Sequence, residues 1–131
     1  MKIQSLIQQS FEAKKFSYSP YSKFAVGAAL LCQDGTVVTG CNVENAAYAP
    51  AICAERCAYT KAISMGQKEF KAIAISSNLD DFIAPCGVCR QTMVEFSEDI
   101  DVYMTKPDGT YKMMKITELL PHSFRPSRLL Q

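Results

Sequence analysis

The sequence predicts an α/β fold, a three-layer α/β/α sandwich in which helices cover both faces of a mixed five-stranded sheet. Segments typical of helices and of strands follow one another in the order α-β-β-α-β-α-β-β-α. Two Asp-Gly pairs, beginning at Asp34 and Asp108, each lie between two strand-length runs and indicate β-hairpins. Helix-length connections before and after the third strand indicate parallel pairing at that strand.

Each predicted element follows from a local signal. The first helix places four apolar residues on one face, Leu6, Ile7, Phe11 and Phe16, and a turn-rich segment ends it. The second helix is rich in alanine and ends at Gly66, and Pro85 lies where a third helix begins. In chain order, we predict helices at residues 3–16, 53–65, 86–96 and 118–120, and strands at residues 24–32, 37–43, 70–76, 101–105 and 110–115.

The chain is interpreted as one domain over residues 1–131, without an internal repeat, a linker or a low-complexity segment. A chain of this length can bury a sizeable core unaided. Its last predicted element is the short helix at residues 118–120, which we expect Thr117 to cap and Pro121 to end.

Composition and charge argue against several classes of protein. The formal net charge is +1 and the lysines are scattered, which does not favour nucleic acid as a partner. The longest apolar run, residues 24–32, is too short to cross a membrane, and the N-terminal residues lack the apolar stretch of a signal peptide. We therefore expect a soluble, cytoplasmic protein, in which the six cysteines are metal ligands or reduced thiols rather than disulfides.

Two short stretches carry the chemistry: CAE at residues 53–55 and PCGVCR at residues 85–90. They supply three thiols, Cys53, Cys86 and Cys89, which leave the fourth position of a tetrahedral Zn²⁺ open, as in a catalytic site. Glu55 lies two residues after the first thiol and is suited to moving protons beside the metal. Zinc deaminases have this layout, with Cys or His as the first ligand.

Both stretches fall at predicted helix N-termini, after the second and third strands, where open α/β sheets place their sites. Helix N-termini stabilise negative charge and lower thiol pKa values. Three thiolates on one zinc ion leave a net negative charge, which weakens the metal's ability to acidify bound water. Arg56 and Arg90 directly follow the two stretches, and we hypothesise that one or both donate hydrogen bonds to the sulfurs and offset that charge.

Other interpretations of the thiols remain open. A Cys-x-x-Cys pair alone also suits a redox disulfide or a closed zinc knuckle, although the knuckle lacks a fourth ligand. Cys32, Cys41 and Cys57 are expected to be small buried apolar residues, and whether Cys57 competes as a ligand is open. The only histidine, His122, is expected at the surface or in an interface.

Over essentially its whole length the chain resembles the small homotetrameric cytidine deaminases. Beyond the zinc signature, the motifs that carry the resemblance are YSPYSKF at residues 18–24, VGAAL at 26–30, GCNVENAAY at 40–48, and LLP at 119–121 with Phe124 and Pro126. The resemblance implies one Zn²⁺ per subunit, hydrolytic deamination of cytidine and 2′-deoxycytidine in pyrimidine salvage, and a homotetramer with shared active sites. Cys53 as the first ligand is typical of the small family, since larger dimeric relatives carry His.

The resemblance also implies contacts with the substrate. Asn42 and Glu44 resemble the pair that binds the ribose 3′-hydroxyl, and an amide with a carboxylate can satisfy a hydroxyl's donor and acceptor. Phe24 resembles the residue that packs on the pyrimidine, and Ala54 the residue whose backbone contacts the base edge. The remaining candidate substrate-binding residues are Asn45 and, as contributions to a neighbouring subunit's pocket, Ala46, Tyr48 and Phe124.

Two further functions are alternatives. One is the same chemistry on a modified cytosine nucleoside such as blasticidin S, although the run from Asn42 to Asn45 favours a ribose. The other is a zinc-containing nucleic-acid-binding module, which the near-neutral charge and the lack of a basic, aromatic-rich face do not favour.

Overall fold

The computed structural model describes residues 2–130, so Met1 and Gln131, the ends of the predicted domain, lie outside it. Its elements are α1 (Ile3–Lys14), β1 (Val26–Cys32), β2 (Val37–Cys41), α2 (Ala54–Ser64), β3 (Phe70–Ser77), α3 (Gly87–Phe96), β4 (Asp101–Thr105), β5 (Tyr111–Lys115), α4 (Ile116–Leu119) and α5 (Pro126–Leu129). The predicted order of elements is confirmed. The short α5 is additional, and Pro126 in its first turn is the signal for it.

The strands form one mixed sheet in the order β2-β1-β3-β4-β5. β3 and β4 pair in parallel, and the other neighbours pair antiparallel. The prediction of parallel pairing at β3 is therefore confirmed on its β4 side and wrong on its β1 side. The connection through α2 carries the chain from β2 across β1 to β3. The strands β2 and β3 therefore run in the same direction, but β1 lies between them and pairs antiparallel with each.

Helices cover both faces of the sheet, which confirms the predicted α/β sandwich. Successive residues of β1 face opposite layers. Ala29 packs with Leu6 and Ile7 of α1, whereas Ala28 and Leu30 belong to the core beneath α2 and α3. Every helix described between residues 2 and 130 falls short of the length and apolar content that a membrane crossing requires.

Gly40 on β2 sets the position of α2. A Cβ atom at Gly40 would lie 2.5 Å from the backbone nitrogen of Ala58 and 2.7 Å from the carbonyl oxygen of Ala54. Both atoms belong to the helix backbone, so they cannot move aside as a flexible side chain can. The absence of a side chain on Gly40 thus allows the first turns of α2, which carry Glu55, to lie directly against the sheet.

The structure corrects the ends of three predicted elements, of which β2 ends at Cys41 rather than at residue 43. α1 ends at Lys14 rather than at Phe16, and Phe16 is 79% exposed rather than part of the apolar face. β1 begins at Val26, so Phe24 lies just before the strand. There the side chain of Asn42 accepts a hydrogen bond from the Val26 nitrogen (2.9 Å) and donates one to the Phe24 oxygen (2.8 Å).

The prediction that Thr117 caps the last predicted helix is wrong. α4 begins at Ile116, and Lys115, the last residue of β5, is its N-cap. The backbone nitrogen of Lys115 donates to Oε1 of Glu118 at 2.9 Å. Because the chain passes from strand to helix without a loop, Thr117 already lies inside the helix.

Candidate active site

Three cysteine sulfurs meet at the starts of α2 and α3. The Sγ atoms of Cys53 and Cys86 are 3.8 Å apart, and those of Cys86 and Cys89 are 3.4 Å apart. All three lie within 4.8 Å of one another, and among residues 2–130 this group includes no fourth His, Cys, Asp or Glu. Cys57 is therefore not part of the cluster.

The local fold explains this convergence. Cys53 is the N-cap residue of α2 and Cys86 that of α3, both with extended backbone. Cys89 lies three residues after Cys86, one helical turn further on the same side of α3. The two helices follow β2 and β3, so the sulfurs lie beyond the C-terminal ends of these strands, as the sequence predicts.

The donor set fits Zn²⁺. A tetrahedral zinc ion with Zn–S bonds of about 2.3 Å separates its sulfurs by about 3.8 Å, close to the separations of 3.8 Å and 3.4 Å here. Thiolates are soft ligands that favour zinc over magnesium or calcium. The three cysteines could therefore hold one zinc ion and leave one coordination position for water or a substrate atom.

The surroundings of Cys53 favour its thiolate form. A hydrogen bond with Cys89 lowers the pKa of Cys53 to about 5, burial opposes this shift, and a hydrogen bond from Arg56 adds to it. The same hydrogen bond with Cys53 raises the pKa of Cys89, which keeps the shared proton. Because the thiolate is the form that binds metal, one ligand is prepared before any metal arrives.

Glu55 is a buried carboxyl beside the sulfurs. It lies in the first turn of α2 and is 5% exposed. Burial raises the pKa of Glu55 to about 7; the nearby Cys53 adds to the rise, and a hydrogen bond with Cys89 opposes it. A carboxyl group that titrates near neutrality can both take and give a proton.

The two arginines behave differently. Arg56 Nη2 donates to Cys53 Sγ at 3.4 Å, which is a hydrogen bond of the kind hypothesised from the sequence. Arg90 instead donates through Nε to the carbonyl oxygen of Pro85 and through Nη1 to that of Leu119, each at 2.8 Å. Its described hydrogen bonds thus join the start of α3 to the end of α4 and include no sulfur, so the hypothesis that one or both arginines bond a sulfur holds through Arg56.

A cavity of about 270 Å³ opens beside the cluster. The candidate site residues that it brings together are Phe24, Asn42, Glu44, Cys53, Ala54, Glu55, Arg56 and Cys86. Cys89, the third sulfur, is fully buried behind them. The cavity therefore joins the sulfurs and the buried carboxyl to an aromatic ring, an amide and a second carboxylate.

Four candidate substrate-binding residues lie elsewhere. Tyr48 and Phe124 are 79% and 60% exposed, and Ala46 is also exposed. Asn45 accepts a hydrogen bond from the Ala47 nitrogen at 2.9 Å and so closes its own loop. These residues are not among those that line the cavity of this subunit.

Sequence reasoning missed residues that complete or support the cavity. Ile83, from the loop before α3, forms part of its wall. Ser22 donates to the Glu44 carboxylate, and Ser17 donates to the Asn42 side-chain oxygen. These contacts depend on how distant segments pair, which the sequence does not reveal. The position of Ser22 inside the YSPYSKF motif is the one sequence signal for this network.

Comparison with known proteins agrees with this geometry. Residues 1–105 match the family described as the cytidine and deoxycytidylate deaminase zinc-binding region. A cytidine deaminase of Sporosarcina psychrophila is 45% identical over 125 residues, covering 95% of this chain and 92% of that protein. A probable cytidine deaminase of Dictyostelium discoideum is 45% identical over 130 residues, covering 98% of this chain and 88% of that protein.

The fold agrees as well. The crystal structure of a cytidine deaminase from Burkholderia pseudomallei superimposes with a TM-score of 0.91 at 42% identity, covering 95% of this chain and all of that one. Fold and cysteine cluster together define a deaminase with a zinc-binding region. Within that class, the chain belongs to the cytidine deaminase family and is an enzyme of it.

Proposed function

We propose that the protein converts cytidine and 2′-deoxycytidine into uridine and 2′-deoxyuridine by zinc-dependent hydrolysis, as part of pyrimidine salvage in the cytoplasm. One observation carries the proposal. The buried Glu55 carboxyl, with its pKa raised to about 7, lies beside three thiols in a cavity that Phe24 and Glu44 also line. Family membership supports the same chemistry.

The chain's own residues provide the proton transfers. One zinc ion per subunit, held by the three cysteines, would lower the pKa of a water molecule in its open coordination position. Glu55 accepts a proton from the water that attacks C4 of the pyrimidine and passes it to N3. It then delivers the second proton to the amine, which leaves as ammonia. A group with a pKa of about 7 can act in both directions at neutral pH.

The lining of the cavity favours a nucleoside. Phe24 offers a flat apolar face for a base, and Asn42 with Glu44 offers an amide and a carboxylate for the 3′-hydroxyl of a sugar. The basic residue among the described lining residues, Arg56, is engaged with Cys53. Glu44 adds negative charge, which disfavours a substrate that carries a phosphate. Because no role here requires a 2′-hydroxyl, we propose that both sugars are accepted.

The proposed enzyme is a homotetramer with shared active sites. Tyr48 and Phe124 are large aromatic residues that lie exposed and outside the cavity of their own subunit. Exposed aromatic side chains of this size are typical of interfaces. In the proposed assembly, these two residues and Ala46 complete the pocket of a neighbouring subunit.

The central experiment measures the ultraviolet change as purified, zinc-loaded protein acts on cytidine. We expect conversion to uridine, loss of activity with a chelator, recovery with added zinc, and a rate about 10²- to 10⁴-fold lower for Glu55→Gln because general acid–base catalysis is removed. Failure of the zinc-loaded protein to act on cytidine would refute the proposal. Turnover of blasticidin S without turnover of cytidine would refute the substrate while keeping the chemistry.

Mixing of subunits tests the shared site. Glu55→Gln removes the proton carrier from its own site, and Phe124→Ala removes the contribution to a neighbour's site. Refolding the two variants together should restore part of the activity, because some mixed sites then contain both intact residues. Activity of the mixture no greater than that of the separate variants, with sedimentation showing monomers, would refute the shared assembly.

A further inference from the structure

The Glu44 carboxylate is held by a single turn of the chain. Its Oε1 atom accepts hydrogen bonds from the backbone nitrogens of Tyr21 (3.0 Å) and Ser22 (3.1 Å), and its Oε2 atom accepts one from the Ser22 hydroxyl. A carboxylate has about four acceptor positions. Three are thus taken by one turn, which fixes the plane of the carboxylate and leaves one position for a ligand.

The Ser22 hydroxyl joins this carboxylate to the segment that carries Phe24. While it donates to Glu44, its oxygen accepts a hydrogen bond from the Phe24 backbone nitrogen at 3.0 Å. Between them, Lys23 has a left-handed backbone with φ of 60°, and its nitrogen donates to the Ser19 oxygen at 3.0 Å. Such a conformation costs about 1–2 kcal/mol for a residue other than glycine, so surrounding contacts must hold it in place.

Backbone pairing anchors the same turn to the segment that contains Glu44. The nitrogen of Glu44 donates to the Tyr18 oxygen at 2.8 Å, and the nitrogen of Tyr18 donates to the Asn42 oxygen at 3.0 Å. These bonds fix the two segments relative to each other without any side chain. The Ser22 hydroxyl then determines how the Glu44 side chain and the Phe24 backbone are oriented within that frame.

We propose that Ser22 is a positioning residue for the nucleoside, because its one hydroxyl fixes the orientation of Glu44 and of the segment bearing Phe24 together. This inference rests on the proposed function, in which Glu44 binds the sugar and Phe24 the base. Ser22 touches neither the reacting atoms nor the sulfurs. Its loss therefore weakens substrate binding and leaves the chemical step intact.

The test compares three variants. For Ser22→Ala, we expect the KM for cytidine to rise about tenfold, the effect of one hydrogen bond to a charged group, with kcat changed less than about twofold. Ser22→Thr keeps the hydroxyl and should restore the KM. Tyr21→Phe is the matched control in the same turn, because it also removes one hydroxyl, from a side chain that is 53% exposed and has no described hydrogen bond, and it keeps the backbone bond to Glu44; its KM should equal that of the wild type.

A second substrate separates this proposal from the function on which it rests. With 3′-deoxycytidine, which lacks the hydroxyl that Glu44 would bind, Ser22→Ala should raise KM less than it does with cytidine. An equal rise with both substrates, an unchanged KM, or a parallel loss of zinc and thermal stability would overturn the role of Ser22. Failure of the wild type to deaminate cytidine would instead overturn the proposed function, whatever the variants do.

Discussion

Burial of Glu55 should contribute a loss of stability to the metal-free protein as pH rises, and Glu55→Gln should remove this contribution. The pKa of Glu55 is raised from 4.5 to about 7 by burial. Below pH 4.5 the carboxyl is protonated in both the folded and the unfolded chain and contributes nothing. Between pH 4.5 and 7 the unfolded chain loses its proton first, so the free energy of unfolding falls; above pH 7 the loss is constant.

The magnitude follows from the shift. One pKa unit corresponds to 1.36 kcal/mol, so the full loss is about 3 kcal/mol, of which about 2 kcal/mol develops between pH 5.5 and pH 8. Glutamine has no proton to lose. The difference in the free energy of unfolding between Glu55→Gln and wild type should therefore increase by about 2 kcal/mol over this range, in favour of the variant.

Urea unfolding at pH 5.5, 6.5, 7.5 and 8, with chelator and at one protein concentration, measures this difference. A difference that stays flat with pH, or that shrinks as pH rises, would refute the assignment of a raised pKa to this carboxyl.

Three other changes test separate parts of the structure. Arg56→Gln removes the hydrogen bond to Cys53 and should lower turnover or zinc retention. If the variant matched the wild type in both turnover and zinc retention, the role of Arg56 would be contradicted. Gly40→Ala should cost about 1–3 kcal/mol in urea unfolding, because the new methyl group meets the backbone of α2, and an unchanged midpoint would contradict the close packing. Tyr59→Phe should raise the free energy of unfolding by about 1 kcal/mol. The Tyr59 side chain is 1% exposed, and its hydroxyl has no hydrogen-bond partner among residues 2–130. A loss of stability in urea unfolding would reveal a partner.

The cysteine cluster could be predicted from the sequence because metal binding requires ligands at a characteristic spacing along the chain. Three thiols and one carboxyl occur at two predicted helix starts, and a helix start after a strand has a known place at the edge of a sheet. The structure brings Cys53, Cys86 and Cys89 within 4.8 Å of one another. Whether these residues and Glu55 perform the proposed roles stays a prediction, as does the single domain over residues 1–131.

Features that depend on distant segments could not be predicted in the same way. The antiparallel pairing of β3 with β1 depends on which strands become neighbours, and connection length does not fix that choice. The bonds between Ser22 and Glu44 exist because the segment around Tyr18 pairs with that around Val43. Thr117 has a suitable side chain for a cap, but the helix has already begun at Ile116, with Lys115 as its N-cap.

The cysteines at the N-caps of α2 and α3 have a consequence for local motion. Ser, Thr, Asp or Asn at such positions usually bonds the first free amides of a helix, worth about 1 kcal/mol, whereas Cys53 and Cys86 make no such bond to the described helix starts. A metal ion on their sulfurs would fasten both first turns at once. Chelation should then speed hydrogen exchange at the first amides of both helices, while the amides of β1, in the middle of the sheet, keep their protection.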